Sequence, residues 1–220
     1  MDKIKYGIIG ASGKMGKEIE SVFNEAGHVL VFTYDVDGEK SKSKPDVIID
    51  FSLPVVFDKT IDLVNNVKVP LVIGTTGLNA KQLDTLKSVS NNIAVIQSFN
   101  FSIGIQLLLK CINSIKENLD GWDIEIEETH HRFKKDKPSG TAIMLKNSFE
   151  KEIPISSLRI GNVFGTHAIH IGSLGETIKL EHNATSRRTF ADGVLRSAEF
   201  IVKKKNGFFT FTDVINNINE

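Results

Sequence analysis

The stretch from Ile4 to Phe23 constrains the fold more than any other. Ile4-Lys-Tyr-Gly-Ile-Ile9 reads as an apolar strand, Gly10-Ala-Ser-Gly13-Lys-Met-Gly16 follows at once, and a helical pattern then runs through Val22 and Phe23. A strand that enters a helix through a glycine-rich turn is the dinucleotide-binding arrangement. The glycines fall at 10, 13 and 16, a G-x-x-G-x-x-G variant of the usual spacing. Gly10 permits a tight turn, Gly13 lets a pyrophosphate approach the backbone, and Gly16 lets the helix pack closely on the strand. A glycine turn without a ligand is the competing reading, and the context that follows weighs against it.

A second strand, Val29 to Tyr34, ends on Asp35, about twenty-five residues after Gly10. A carboxylate there accepts hydrogen bonds from the adenosine ribose hydroxyls and repels a 2′-phosphate. Val36 and Asp37 supply no cation to offset that repulsion, so NADH is the preferred cofactor and NADPH the alternative. Lys14 and the run Lys40, Lys42, Lys44 are within reach of a phosphate, although the run reads as a solvated loop. Pro45–Ser52 and Val69–Gly77 are short apolar strands with polar or glycine-rich ends, as expected of strands buried on both faces of a parallel sheet. Helical segments near 54–66 and 79–90 alternate with them, and Ile93–Ile96 makes another strand. The alternation predicts an α/β, Rossmann-like doubly wound sheet. Ligands of such sheets lie outside the carboxyl ends of the strands, where Asp35, Gly74-Thr75-Thr76 and Phe99-Asn100-Phe101-Ser102 fall.

The periodicity changes after Ser102. A helix from Ile103 to Asn118, a strand Trp122–Glu127, a charged loop, a helix from Thr141 to Glu150 and then strands follow, with a hairpin around residues 172–175. The sequence permits a second, helix-and-sheet domain in this middle block. From Asp192 the chain turns helical again to Gly207, and Phe208–Phe211 reads either as a strand returning to the first domain or, through Lys205-Asn-Gly207, as part of a hairpin.

The loop Glu128–Ala142 holds two histidines, three lysines and a Pro-Ser-Gly-Thr turn. Histidine titrates nearest neutrality, lysine supplies fixed positive charge, and a turn entering a helix offers backbone N–H groups to an anion. The loop is therefore suited to bind a carboxylate and move a proton; a basic solvated turn is the bland alternative. Consecutive side chains of an extended segment diverge, so His130 and His131 have separate tasks and do not form paired metal ligands; no metal is expected. His167 and His170 sit in a strand pattern and read as structural or interface residues.

Composition limits the function classes. The 27 basic and 27 acidic residues cancel, which argues against nucleic-acid binding and leaves a local positive patch from Arg132 to Lys137. Cys111 is the single cysteine, read as a buried, inert thiol. The chain has no run of about eighteen apolar residues and no leader pattern, so a soluble, cytoplasmic protein without a membrane partner is expected.

GASGKMG at 10–16, DFS at 50–52, GTTG at 74–77, FNFS at 99–102, ETHHRFKKDKPSGTA at 128–142 and SRRTFADGVLRSA at 186–198 together resemble the dihydrodipicolinate reductase family over nearly the whole chain. The 128–142 block is the specific part; the glycine turn is common to many dehydrogenases. Lys14 stands where that family usually has arginine, and the 36–46 region is shorter than in longer members. The resemblance implies reduction of 4-hydroxy-tetrahydrodipicolinate by NAD(P)H with loss of water, on the diaminopimelate route to lysine, by a homotetramer. It implies a nucleotide domain of residues 1–102 and 192–220 and, inserted in it, an α+β substrate and oligomerisation domain with an open mixed sheet, residues 103–191. Nucleotide contacts fall on Gly10, Ala11, Ser12, Gly13, Lys14 and Met15 and on the strand-end residues already named. His130 becomes the general acid/base and Lys134 a proton donor, while His131 and the N–H groups of Gly140 and Thr141 hold a substrate carboxylate near Ser139. Arg187 is a hinge or substrate contact. A non-enzymatic dinucleotide-binding module is the contrasting class, but an anion sensor needs charge without a proton donor. An amino-acid dehydrogenase gives no account of the His-His-x-x-Lys block.

Overall fold

A computed structural model describes residues 3–217. The chain divides into two compact units, one containing the residues up to Phe101 and from Phe190 onward, the other Ser102–Thr189. In chain order the elements are β1 (Lys5–Ile9), α1 (Lys14–Glu25), β2 (Val29–Asp35), β3 (Gly38–Ser41), β4 (Val47–Asp50), α2 (Phe57–Val67), β5 (Leu71–Ile73), α3 (Ala80–Val89) and β6 (Ala94–Gln97). Then come α4 (Ile103–Ile115), β7 (Asp123–His130), α5 (Gly140–Lys146), β8 (Ile155–Arg159), β9 (Gly165–Gly172) and β10 (Thr177–Ala184), followed by α6 (Arg188–Ile201), β11 (Gly207–Phe209) and α7 (Phe211–Asn216).

The first unit is built on a seven-stranded sheet ordered β11-β6-β5-β4-β1-β2-β3, parallel except for β3. Every residue of β4, β5 and β6 is buried, which is why these strands read as unbroken apolar runs. Helix α1 buries Gly16, Ile19, Val22 and Phe23, one stripe at helical spacing. α3 starts at a capping box in which Asn79 and Gln82 satisfy each other's backbone N–H.

Three expectations are corrected here. The lysine run is not wholly a loop, because Gly38–Ser41, with Lys40, pairs antiparallel with β2 across the two-residue turn Val36-Asp37, while Lys42 and Lys44 follow it, exposed and outside the strand. Gly38 takes φ +90 there, and the Gly-Glu-Lys-Ser strand has no apolar alternation to announce it. The carboxy-terminal strand β11 pairs parallel with β6, so the hairpin reading of residues 205–207 is excluded. α6 begins at Arg188 and ends at Ile201, earlier at both ends than its sequence pattern suggested. At Gly193 a Cβ would lie 1.8 Å from the Phe101 carbonyl, and Phe101 stacks on Phe51 and Phe211 at 5.5 and 5.4 Å. That close approach fixes α6 against the first unit.

The second unit carries a four-stranded sheet, β10-β9-β7-β8, in which β7 and β8 are parallel and the other pairs antiparallel. Ile105 and Ile112 of α4 and Leu145 of α5 pack with Ile124, Ile126, Ile169 and Ile171 of the sheet. Asp123, Glu125, His170 and Lys179 are exposed on strands β7, β9 and β10. Strand β7 continues to His130, three residues beyond the apolar pattern, and α5 stops at Lys146 instead of Glu150. Cys111 is exposed, one position off the buried Ile105–Leu108–Ile112 stripe, so the buried-thiol expectation fails. Among the described residues, no helix is long and apolar enough to cross a membrane.

Asp50, at the end of β4, is fully buried and ties the strand ends of the first sheet together. It accepts hydrogen bonds from the Ser52 N–H (2.9 Å) and hydroxyl (2.6 Å), from Thr60 (2.7 Å) and from Thr75 (3.0 Å). Replacing it by alanine strands these donors, and an unpaired buried donor costs about 1–3 kcal/mol. Asp50→Ala should therefore lower the chemical-denaturation midpoint by the equivalent of about 2–3 kcal/mol with an unchanged m-value.

Candidate active site: a nucleotide edge and a buried carboxylate–histidine couple

Strand β1 has β2 on one side and β4 on the other, so the loops leaving β1 and β4 diverge at the point where doubly wound sheets bind ligands. A cleft of about 420 Å³ opens there, lined by Gly10, Ser12, Gly13, Asp35, Phe51 and Ser52 among others. The glycines that shape it are sterically required. Gly10 has φ +83, and a Cβ on Gly16 would meet the Gly10 carbonyl oxygen at 2.3 Å. Gly13 is the N-cap of α1 and no side chain caps the helix, which leaves the turn to an external acceptor. The Asp35 carboxylate receives the Ser12 N–H (2.5 Å) and the Val36 N–H (2.8 Å). These backbone bonds, Ser12 first, hold its pKa below the ordinary carboxylate value. A turn kept open by its glycines and an ionised acceptor at the end of β2 fit a dinucleotide.

The second unit places its polar groups by strand register. Along β7 the inward residues alternate: Ile124, Ile126, Glu128, His130. Ile124 and Ile126 lie opposite Ile171 and Ile169 of β9, but the next pairing is Glu128 with His167, and His167 pairs onward with His182 of β10. On the other side, Glu128 pairs with Ser157 and His130 with Arg159 of β8. The core face of the sheet thus changes from isoleucine to ionisable groups within one step of the pleat.

Glu128 has zero exposure and both its oxygens are engaged. Arg159 grips it with a two-nitrogen fork, at 2.9 Å to Oε2 and 2.7 Å to Oε1, and His130 Nδ1 bonds Oε2. The Ser139 N–H reaches Oε1 at 3.3 Å, and Arg159 also donates to the Asp136 carbonyl at 2.6 Å. The Ser139 hydroxyl caps α5 by accepting the Ala142 N–H and meets His167 Nε2 at 3.2 Å. One buried carboxylate therefore holds the histidine, the charged loop and the start of α5 together. Burial alone would raise the Glu128 pKa, yet the bonds from Arg159, Ser157 and His130 outweigh it and carry it down to about 2. Burial is also the main reason the His130 pKa lies below the ordinary histidine value, with Glu128 opposing the shift and Lys134 and Arg159 adding to it. For His167, burial followed by repulsion from His130 takes the pKa down to about 3. Glu128, His130 and His167 offer three ligand-type atoms within 4.8 Å, but the guanidinium seated on Glu128 opposes a divalent ion there.

The sequence-derived site residues separate into several roles. Gly10, Ser12, Gly13 and Asp35 line the first-unit cleft, with Ala11, Lys14 and Met15 in the same turn and helix start. Gly74 is kept bare by the Phe51 ring, 2.3 Å from where its Cβ would lie, and Thr75 turns inward to Asp50, leaving Thr76 exposed. In the 99–102 segment Phe99 is exposed, Asn100 and Phe101 are buried, and Ser102 caps α4 and meets His182 Nε2 at 3.1 Å. In the second unit His130 is buried while His131 is partly exposed, as divergence along an extended segment requires. Lys134 pairs with Asp136 at 2.8 Å, Ser139 and Thr141 are buried, and Gly140 starts α5. Arg187 lies over the Phe164 ring at 5.1 Å. Sequence reasoning missed Glu128, Arg159 and Asp50, while His167, read as structural or interface, is buried beside the couple. The one available signal was Glu128 two residues before His130 in a strand, which puts both side chains on one face.

A doubly wound nucleotide unit joined to a mixed-sheet unit with a buried carboxylate–histidine couple is the architecture of a pyridine-nucleotide-dependent oxidoreductase. Family models described as the N-terminus and C-terminus of dihydrodipicolinate reductase match residues 4–101 and 104–215. The chain belongs to the dihydrodipicolinate reductase family. It is 45% identical over 212 residues to a 4-hydroxy-tetrahydrodipicolinate reductase of Thermosipho africanus, covering 96% of this chain and 98% of the relative. A Bdellovibrio bacteriovorus enzyme of the same name is 37% identical, with 98% and 97% covered. Among solved structures, a dipicolinate-bound dihydrodipicolinate reductase from Paenisporosarcina sp. TG-14 superimposes with a TM-score of 0.75 at 27% identity, covering 95% of this chain and 98% of that one. Aspartate dehydrogenase from Thermotoga maritima shares the fold at a TM-score of 0.55 and 16% identity, covering 94% of this chain.

The depressed His167 pKa has a consequence for stability. Between pH 6.5 and 4.5 the unfolded chain binds a proton at His167 and the folded chain does not, so stability must fall as pH falls through this window. Each such proton steepens the dependence by up to about 1.4 kcal/mol per pH unit. Chemical denaturation across this window should give a shallower slope for His167→Gln than for the parent chain, and an unchanged slope would contradict a buried neutral His167.

Proposed function

We propose that the chain reduces 4-hydroxy-tetrahydrodipicolinate to tetrahydrodipicolinate with a reduced pyridine nucleotide, on the diaminopimelate route to lysine. The observation that carries this reading is the buried Glu128–His130 couple at the root of a basic loop and beside a Pro-Ser-Gly-Thr turn, in a chain whose relatives bear that enzyme's name. The substrate is a cyclic imine with two carboxylates and a ring hydroxyl. When bound, the nucleotide supplies hydride to the ring carbon that gives up the hydroxyl. The remaining tasks are to hold a dianion, to let the hydroxyl leave as water, and to return a proton to the ring.

His130 carries the proton as general acid/base. Lys134, salt-bridged to the exposed Asp136, exchanges that partner for substrate and serves as proton donor and counter-charge. His131 and the N–H groups of Gly140 and Thr141 hold a carboxylate, with Ser139 fixing the turn that presents them. At the nucleotide edge, Asp35 binds the adenosine ribose hydroxyls in preference to a 2′-phosphate, which favours NADH and leaves NADPH as the weaker cofactor. The strand residues Glu125, His170 and Lys179 lie on the sheet through which a homotetramer forms.

Three variants test the assignment. His130→Gln should lower kcat by roughly 10²–10⁴ with little change in KM, the usual worth of a general acid. Lys134→Ala should lower kcat and raise KM together, with NADH affinity nearly constant. Near-parental kcat in both, with folding and NADH binding intact, would return the loop to a solvated turn. Calorimetry should show NADH bound more tightly than NADPH by about 1–2 kcal/mol. Asp35→Ala should narrow that gap.

A further inference from the structure

The Glu128–His130 contact fixes more than the position of a ring. His130 bonds Glu128 through Nδ1, and because Glu128 is ionised it can only accept, so the proton of neutral His130 resides on Nδ1. The free lone pair is then on Nε2. On that edge stands Gly165 of β9, where a Cβ would lie 3.1 Å from Nε2 and 3.4 Å from the neighbouring ring carbon. Glycine at this position keeps the Nε2 edge uncrowded. The Glu128 side of the ring is closed by Arg159, the Ser139 N–H and the His167 ring, whose centroid is 5.1 Å from that of His130.

We propose that Glu128, clamped by Arg159, is the positioning residue that assigns His130 its chemistry, directing proton exchange with substrate to Nε2 and stabilising the imidazolium that donates the proton. This rests on the reading of His130 as the proton carrier. The charged and titratable groups facing the ring are Glu128 of β7, Arg159 of β8, His167 of β9 and Lys134 of the loop, with His182 of β10 behind His167. Only Glu128 is negative. Burial and two cations disfavour the imidazolium, and the carboxylate is the one group that opposes them. Arg159 has the complementary task. A carboxyl buried without it would take up a proton, lose its charge and donate to Nδ1, which would move the ring proton to Nε2; the two-nitrogen grip keeps it an anion and an acceptor. The same guanidinium holds the Asp136 carbonyl, so the loop bearing Lys134 is set by the bonds that set the histidine.

The tautomer is read directly in the parent protein by nitrogen-15 NMR of histidine-labelled chain above the His130 titration. Nδ1 protonated and Nε2 bare is expected; the opposite assignment overturns the proposal. The second measurement is the pH dependence of kcat/KM in Glu128→Gln, which keeps the shape and removes the charge. Activity that needs a protonated His130 is lost as pH rises through its pKa, so a lower pKa must move the alkaline limb to lower pH. The shift expected from losing an adjacent opposite charge is about 1–3 pH units, with NADH affinity unchanged. A limb that stays in place overturns the proposal. Should Glu128→Gln fail to fold, Arg159→Lys retains a charge but not the fork, and its limb should move in the same direction by less; an unmoved limb there also counts against the clamp. If His130→Gln itself retains parental activity, the proton-carrier reading fails. If His130→Gln is inactive and the Glu128→Gln limb does not move, only the positioning role fails.

Discussion

A carboxylate with no exposure to water has to be paired, and the pairing of Glu128 with Arg159 is the constraint on which the second unit's site depends. Two partners on neighbouring parallel strands meet because the register places residue 128 beside 157 and residue 130 beside 159. Breaking one member would leave an uncompensated charge buried beside the isoleucine core. The pair therefore fixes strand register, loop path and histidine orientation at once. Such a pair contributes little net stability over apolar residues of the same volume. Here its position beside His130 supplies a reason for it that stability alone does not.

The first unit solves a related problem with hydroxyls. Asp50 lies at the end of a fully buried strand, and its lone pairs are used by Ser52, Thr60 and Thr75. That arrangement gives the DFS and GTTG segments a structural explanation apart from any ligand, since Phe51 fills the space that a side chain at position 74 would need. Asp35 differs: it is partly exposed, and it is bonded to the very turn whose glycines leave room for a nucleotide. Two aspartates at one sheet edge thus do different work, one closing the structure and one addressing the cleft.

How much of this was legible in the sequence follows from the range of the interactions involved. Strand, glycine turn and helix are local, and GASGKMG announces all three. The buried parallel strands are legible because burial on both faces leaves an apolar run. β3 was not legible, since an edge strand of Gly-Glu-Lys-Ser satisfies only backbone groups. The Glu128–Arg159 pair spans thirty-one positions and depends on parallel register, which no local pattern specifies. His130 and Lys134 emerged from a dense charged block, whereas His167 and Asp50 stood among ordinary strand residues and acquired their meaning only from what lay opposite. Cys111 was misjudged because helical burial turns on a single position of phase.

The charged strand β3 has one more consequence. A seven-stranded sheet has two unpaired borders, and a long flat apolar border is a template for joining another chain. At one border Glu39, Lys40, Ser41 and Lys42 are all exposed, so an approaching strand would have to strip water from charges on both faces. At the other, β11 is only three residues long and is flanked by Asn206, whose side chain is spent on the Asn91 carbonyl. Exposed charges of this kind disfavour strand addition at an open border.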